Sequence, residues 1–329
     1  MSSYDLPADE IITPAQFQAS MKLVRLQIAV PISVLMSMGT NLVCALALKP
    51  GLRGIMDLYP TLLTPNVPML GFYWALTFVL QVGFCLNLLL ARKDVTKETL
   101  VHGVGLRFSA ANWLQAGWAV CFTLQFFLGA EILLIINAIN LLSIQFTLLP
   151  YPASLRHPLD ALFIHAPIIL LSVILFELDW LHSGFIALGW VIKDEAKWGK
   201  WTWQAVGAVG GVNLVMAIWE GVRGNYLMAF ASEYVLLALL FSSPRTNPTL
   251  PTTALPKPTG LIVMLIICLV LHPVAILAGV AWKRTREREG RIRLHEEVEE
   301  AEAEADAEAA RHGHSHAHAH THADRTSRA

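Results

Sequence analysis

"LIVMLIICLVLHPVAILAGVAW", Leu261–Trp282, is an apolar run broken only by His272 and Pro273. About 20 apolar residues in a helix rising ~1.5 Å per residue match a hydrocarbon layer ~30 Å thick. Backbone amides inside that layer find no water, so the run must be helical. The same pattern recurs at 26–48, 68–91, 106–127, 130–149, 158–178, 203–222 and 226–242. The expected fold class is therefore all-α, a polytopic transmembrane helix bundle of about eight spans. The number falls to seven if 226–242, which is short and carries Glu233, does not cross. The aromatic stretch Asp179–Trp190 is too short for an independent span and reads as an interfacial or re-entrant piece.

Composition agrees. The chain is 55% hydrophobic and 15% charged, where a soluble domain carries roughly 25% charged residues. The net charge of −1 arises because a basic and an acidic block cancel in the tail, so local placement carries the information. Cys44, Cys85, Cys121 and Cys268 all sit in apolar runs without a CxxC pair, and read as small packed residues. The first twenty residues lack the basic start of a signal peptide, which leaves the first span as the insertion signal. The expected organisation is a polar segment 1–23, a bundle 24–282, a charged juxtamembrane helix 283–311 and a His-rich disordered tail 312–329. With eight spans, fourteen Lys and Arg lie near the membrane on the side of the termini and seven on the other. Both termini are then expected in the cytosol.

Amides inside the spans are the most informative interior feature. Asn112 and Gln115, and likewise Asn137 and Asn140, are spaced i, i+3, so each pair shares a helix face. Those faces must turn inward, because an amide against lipid loses its hydrogen bonds. One reading is interhelical glue. The other is a polar pocket for a small amphipathic ligand, walled by Trp113 and Trp118. Glu220 and Arg223, also i, i+3, are expected to pair. Pro31, Pro167 and Pro273 should kink their spans, and "GAVGG" (Gly207–Gly211) should admit a neighbouring backbone.

After Trp282 the chain is first basic, which favours anionic lipid headgroups, and then acidic and alanine-rich. It ends in alternating His312, His314, His316, His318, His320 and His322. Such imidazoles suit weak zinc binding that fades as they protonate. Zinc carriers also place ligand pairs at i, i+4 within their spans, and none is found here.

The segment "RFSAANWLQAGWAVCF" (Arg107–Phe122) resembles the third-span N-x-x-W segment of the larger tryptophan-rich sensory proteins, relatives of the translocator protein (TspO) group. "LRHPLDALFIHAPIILLSVIL" (Leu155–Leu175) is similar to a later span of that family. "KWGKWTW" (Lys197–Trp203) and "EGVRGNYLMAFASEYVLLALL" (Glu220–Leu240) resemble its tryptophan-rich loop and closing span. The likeness covers roughly residues 60–242, carried best by Asn112, Trp113, Trp118 and Arg223. It implies a non-enzymatic bundle that binds a small hydrophobic or amphipathic ligand, and it assigns Arg223 to the site.

Two other readings compete: a zinc or solute transporter with a histidine-rich regulatory tail, and a membrane scaffold that docks through that tail. Membrane lipids are the expected partner, and nucleic acid is not. No Ser–His–Asp arrangement, HExxH or phosphate loop points to catalysis. An intramembrane enzyme would have to draw on Asp160, His165 or Glu177.

Overall fold

Helices dominate the computed structural model, which describes residues 14–153, 157–192, 197–242 and 257–289. The chain divides into two units, residues 1–276 and residues 277–329. The first is a helical bundle. Of the second, residues 277–289 are described and helical, with the Arg286 guanidinium 5.2 Å from the centre of the Trp282 ring. The six tail histidines from His312 to His322 lie outside the described residues.

In chain order the helices are α1 (Pro14–Leu42), α2 (Leu52–Leu58), α3 (Val67–Leu90), α4 (Asp94–Glu98), α5 (Arg107–Thr123) and α6 (Phe127–Thr147). They are followed by α7 (Pro158–Ala187), α8 (Thr202–Arg223), α9 (Tyr226–Leu240) and α10 (Thr259–Glu289). Among the described residues, six helical stretches are long and apolar enough to cross a membrane: Ser20–Ala47, α3, α6, α7, α8 and α10. The chain is thus a multi-pass membrane protein. Two of the eight expected spans fall short of that length, α5 with 17 residues and α9 with 15. Local breaks explain both. Gly105 (φ 61°) precedes α5, and the positive-φ residue Gln125 (φ 61°) turns the chain sharply after it. Gly224 (φ 64°) closes α8 in the left-handed region, where a side chain would be strained. Asn225 then caps α9 by accepting from the Met228 N–H at 3.2 Å.

α7 is the axis of the bundle. In its most apolar window 72% of residues are buried, against 28–39% in the other five long helices. Its sequence is apolar on every side, which suits a helix surrounded by helices rather than by lipid. It is also longer than expected. The stretch Asp179–Trp190, read from sequence as an interfacial piece, instead begins by continuing this helix through Ala187. Two π-helical turns interrupt α7, at Ala161–His165 and Leu175–Asp179. Such bulges expose a backbone carbonyl and re-aim side chains, and they gather at functional sites. His165, Glu177 and Asp179 lie on these turns.

α5 and α6 form an antiparallel pair whose amides lock the register. Asn137 donates to the Ala111 carbonyl at 3.3 Å, and Asn140 to the Arg107 carbonyl at 2.9 Å. This is the glue reading of those residues, with each amide satisfying a carbonyl on the facing helix. The close backbone approach expected at "GAVGG" lies elsewhere in α8. A Cβ on Gly207 or Gly211 would meet open space and one on Gly210 only the Met264 side chain, 3.0 Å away, whereas one on Gly221 would lie 2.6 Å from the Ala275 carbonyl oxygen of α10.

Candidate functional site

Among the polar features inside the apolar bundle, two are built on the second π turn of α7. The first is a cavity of about 650 Å³ walled by α1, α2 and α3, with α5 and α7 behind them. Its sides are almost wholly apolar, for example Met38, Leu70, Trp74 and Phe78. Leu46, Val79 and Val82 of its lining are exposed. Polar chemistry on the lining comes from Trp118, Asp179 and His182, from Asn41, whose amide donates to the Ser37 carbonyl, and from the exposed Arg53 beside Asp57.

Trp118, Asp179 and His182 are buried, and each keeps one polar atom without a protein partner: Trp118 Nε1, Asp179 Oδ2 and His182 Nε2. His182 Nδ1 lies 3.0 Å from the Thr61 hydroxyl. That hydroxyl already accepts the Leu63 N–H, so its own hydrogen is free to go to Nδ1. In that tautomer Nε2 carries the ring hydrogen; in the other, Nδ1 donates to the hydroxyl and Nε2 is an acceptor. The buried part of the lining thus combines an indole N–H, a carboxyl oxygen and an imidazole nitrogen, each an unmet demand in a low-dielectric setting. Gln115 stands beside Asp179, but neither amide atom completes a well-formed hydrogen bond.

The second feature is a chain of fully buried side chains linking α7, α8, α9 and α10. Ser232 Oγ lies 2.6 Å from Glu177 Oε1 and 3.0 Å from Glu220 Oε1. The other oxygen of Glu220 is 2.6 Å from His272 Nδ1. His272 Nε2 is 3.0 Å from Asn213 Oδ1, whose amide nitrogen donates to the Val209 carbonyl at 2.9 Å. Glu220 therefore pairs with His272 and not, as its spacing suggested, with Arg223. Arg223 instead rests with its guanidinium 5.9 Å from the Trp219 ring.

The residues singled out from sequence separate accordingly. Trp118 lines the cavity, and Gln115 is packed behind it next to Asp179. Asn112 turns back on its own helix, donating to the Phe108 carbonyl at 2.9 Å. Trp113 is 47% exposed and turned outward, and Asn137 and Asn140 are occupied between α5 and α6. Asp179, His182, Ser232 and Asn213 were missed as site residues, as were Glu220 and His272, and Glu177 was named only for an intramembrane enzyme. Ionisable residues within or next to an apolar run were the available signal for the first two. Nothing in the sequence brings Ser232 to Glu177 across 55 positions.

Among the described residues, no group of three or more His, Cys, Asp or Glu could hold a metal ion. Outside the spans, the Lys257 amine is buried and donates to the Leu62 carbonyl at 2.7 Å. That burial pushes it down from 10.5 to about 7.

Fold and interior together define the class, a multi-pass helical membrane protein with a polar centre and a side cavity. No protein-family model matches the chain, and neither a curated protein nor a solved structure does.

Proposed function

We propose that this protein is a non-enzymatic binding protein for a small, mostly apolar ligand bearing one hydrogen-bonding head group. One observation carries the reading: an apolar cavity of about 650 Å³ whose buried lining residues Trp118, Asp179 and His182 each hold an unpartnered polar atom, with Asn41 and the exposed Arg53 also on its lining. Cavities of roughly 300–1,000 Å³ with few placed polar groups suit ligands of drug or lipid-fragment size. The apolar body would lie against Leu70, Trp74 and Phe78, and a carbonyl or hydroxyl head would meet Trp118, His182 and Asp179. The exposed apolar lining residues Leu46, Val79 and Val82 offer such a molecule an entry from the bilayer. This ligand class is also the one implied by the resemblance to the tryptophan-rich sensory group.

In the same reading α5 and α9 cross the membrane as well, giving eight crossings with both termini in the cytosol on the excess of Lys and Arg there. The tail histidines His312–His322 then face the cytosol, where a weak zinc affinity is an accessory property.

Native mass spectrometry of the gently solubilised protein tests the cavity. Wild type is expected to retain an adduct of small-lipid mass. Ala75→Phe, which fills the cavity from α3, should release it, while Leu214→Phe on an outward position of α8 should not. An adduct that survives Ala75→Phe unchanged refutes the site.

A further inference from the structure

The Glu177–Ser232–Glu220–His272 chain does no work in ligand binding, yet it gathers polar groups at a high desolvation cost. All four residues, with Asn213, are at most 1% exposed. Hydrogen counting shows what such a chain must contain. A serine hydroxyl owns one hydrogen. Ser232 Oγ faces Glu177 Oε1 at 2.6 Å and Glu220 Oε1 at 3.0 Å, and it can donate fully to only one of them. The other contact is attractive only if that carboxyl brings its own hydrogen. Two bare carboxylates across one hydroxyl would repel strongly in a dry core, the situation in which a carboxyl pair retains a proton.

The far end can be counted in the same way. Asn213 donates its amide hydrogen to the Val209 carbonyl, so its oxygen is the atom facing His272 Nε2, and Nε2 must carry a hydrogen. One further hydrogen then sits between His272 Nδ1 and Glu220 Oε2, 2.6 Å apart. The set is neutral when His272 holds both ring hydrogens, Glu220 is a carboxylate and Glu177 is an acid. Among the described groups acting on the cluster His272 is the one base, and Glu233 of α9 adds a further acid. Tyr73 of α3 and Cys268 of α10 lie within electrostatic reach of Glu177, and Asp179 of α7 within reach of Tyr73.

We propose that Glu177, Ser232, Glu220 and His272 form a reversible proton-binding site in the membrane core, with Ser232 relaying the proton between the two carboxyls. In the relay, the Glu177 Oε1–H hydrogen passes to Ser232 Oγ as the serine hydrogen passes to Glu220 Oε1. The O–H bond of Glu177 breaks, one forms on Glu220, and the serine is unchanged. Charge moves from Glu220 to Glu177 with no atom gained or lost. Glu177 Oε2, buried and without a partner, is the remaining oxygen at the end of the chain. The site stands on its own geometry and is independent of the cavity reading.

Infrared difference spectroscopy of the full chain in liposomes tests this by reading the C=O stretch of protonated carboxyls between about pH 5 and pH 10. Wild type should show such a band near neutral pH that disappears reversibly on raising the pH. Glu177→Gln should remove it. Ser232→Ala keeps both carboxyls and a near-native volume, and should move the midpoint by about one pH unit or more. Sodium at fixed pH should leave the band in place. The proposal is overturned if no titrating band exists, if Glu177→Gln and Glu220→Gln both leave it intact, or if sodium abolishes it. In the last case the cluster is a cation site.

Discussion

Replacing Gly221 by alanine tests the packing that holds the polar centre together. A Cβ at Gly221 would lie 2.6 Å from the Ala275 carbonyl oxygen and 3.2 Å from its carbon. Ordinary contact begins near 3.4 Å, so α8 and α10 must part by about 0.8 Å. Backbone cannot swing aside as a flexible side chain can, and forced separation of this kind costs ~1–3 kcal/mol. Alanine also gains up to ~1 kcal/mol over glycine in a helix. That gain is cancelled by a control in the same helix: Gly207→Ala, whose new Cβ meets nothing within 4 Å. The difference between the two variants therefore isolates the clash. Tryptophan fluorescence during thermal unfolding in mild detergent should place Gly221→Ala below Gly207→Ala by ~1–3 kcal/mol. Gly221 adjoins Glu220, and Ala275 lies on the helix that carries His272. The parted helices should then also stretch the 2.6 Å His272–Glu220 contact and shift the carboxyl band. Equal stability of the two variants would refute the close approach and, with it, the geometry of the buried chain.

Further outcomes follow from individual contacts. Trp118→Phe keeps a ring on the cavity wall and removes the Nε1 hydrogen; ligand affinity measured by titration should fall about 2–10-fold, the worth of one net hydrogen bond of ~0.5–1.5 kcal/mol. Asn140→Leu deletes the 2.9 Å bond to the Arg107 carbonyl and should cost ~0.6–2 kcal/mol in the same unfolding assay. Lys257 gives a pH dependence of defined sign. Its folded value of about 7 lies below 10.5, so between those values the unfolded chain binds more protons and stability rises with pH. The gain is complete above 10.5 and is lost as pH falls through about 7. Lys257→Met should flatten that slope, and an unchanged slope would show that the amine is not buried as described.

Hydropathy alone determined that this is a helical membrane protein, because hydrocarbon leaves an apolar run no other way to satisfy its backbone. It also placed most helices to within a few residues, and the i, i+3 spacing of Asn137 and Asn140 correctly put them on one inward face. It could not decide how far α5 and α9 extend, since the breaks at Gly105, Gln125 and Gly224 are local backbone conformations rather than changes in hydropathy. Nor could it separate Trp113 from Trp118, one turned outward and the other on the cavity wall, because both lie in the same apolar run. The partner of Glu220 shows the limit most clearly. Sequence spacing offers Arg223, three positions along the exposed end of α8. The folded chain offers His272 and Ser232, which reach a fully buried carboxyl only because Gly221 lets α10 pack against α8 and a π turn in α7 brings up Glu177. Composition sets the solvent each segment meets; which polar groups then share the dry interior is a matter of close approach between distant segments, and only the tertiary structure fixes that.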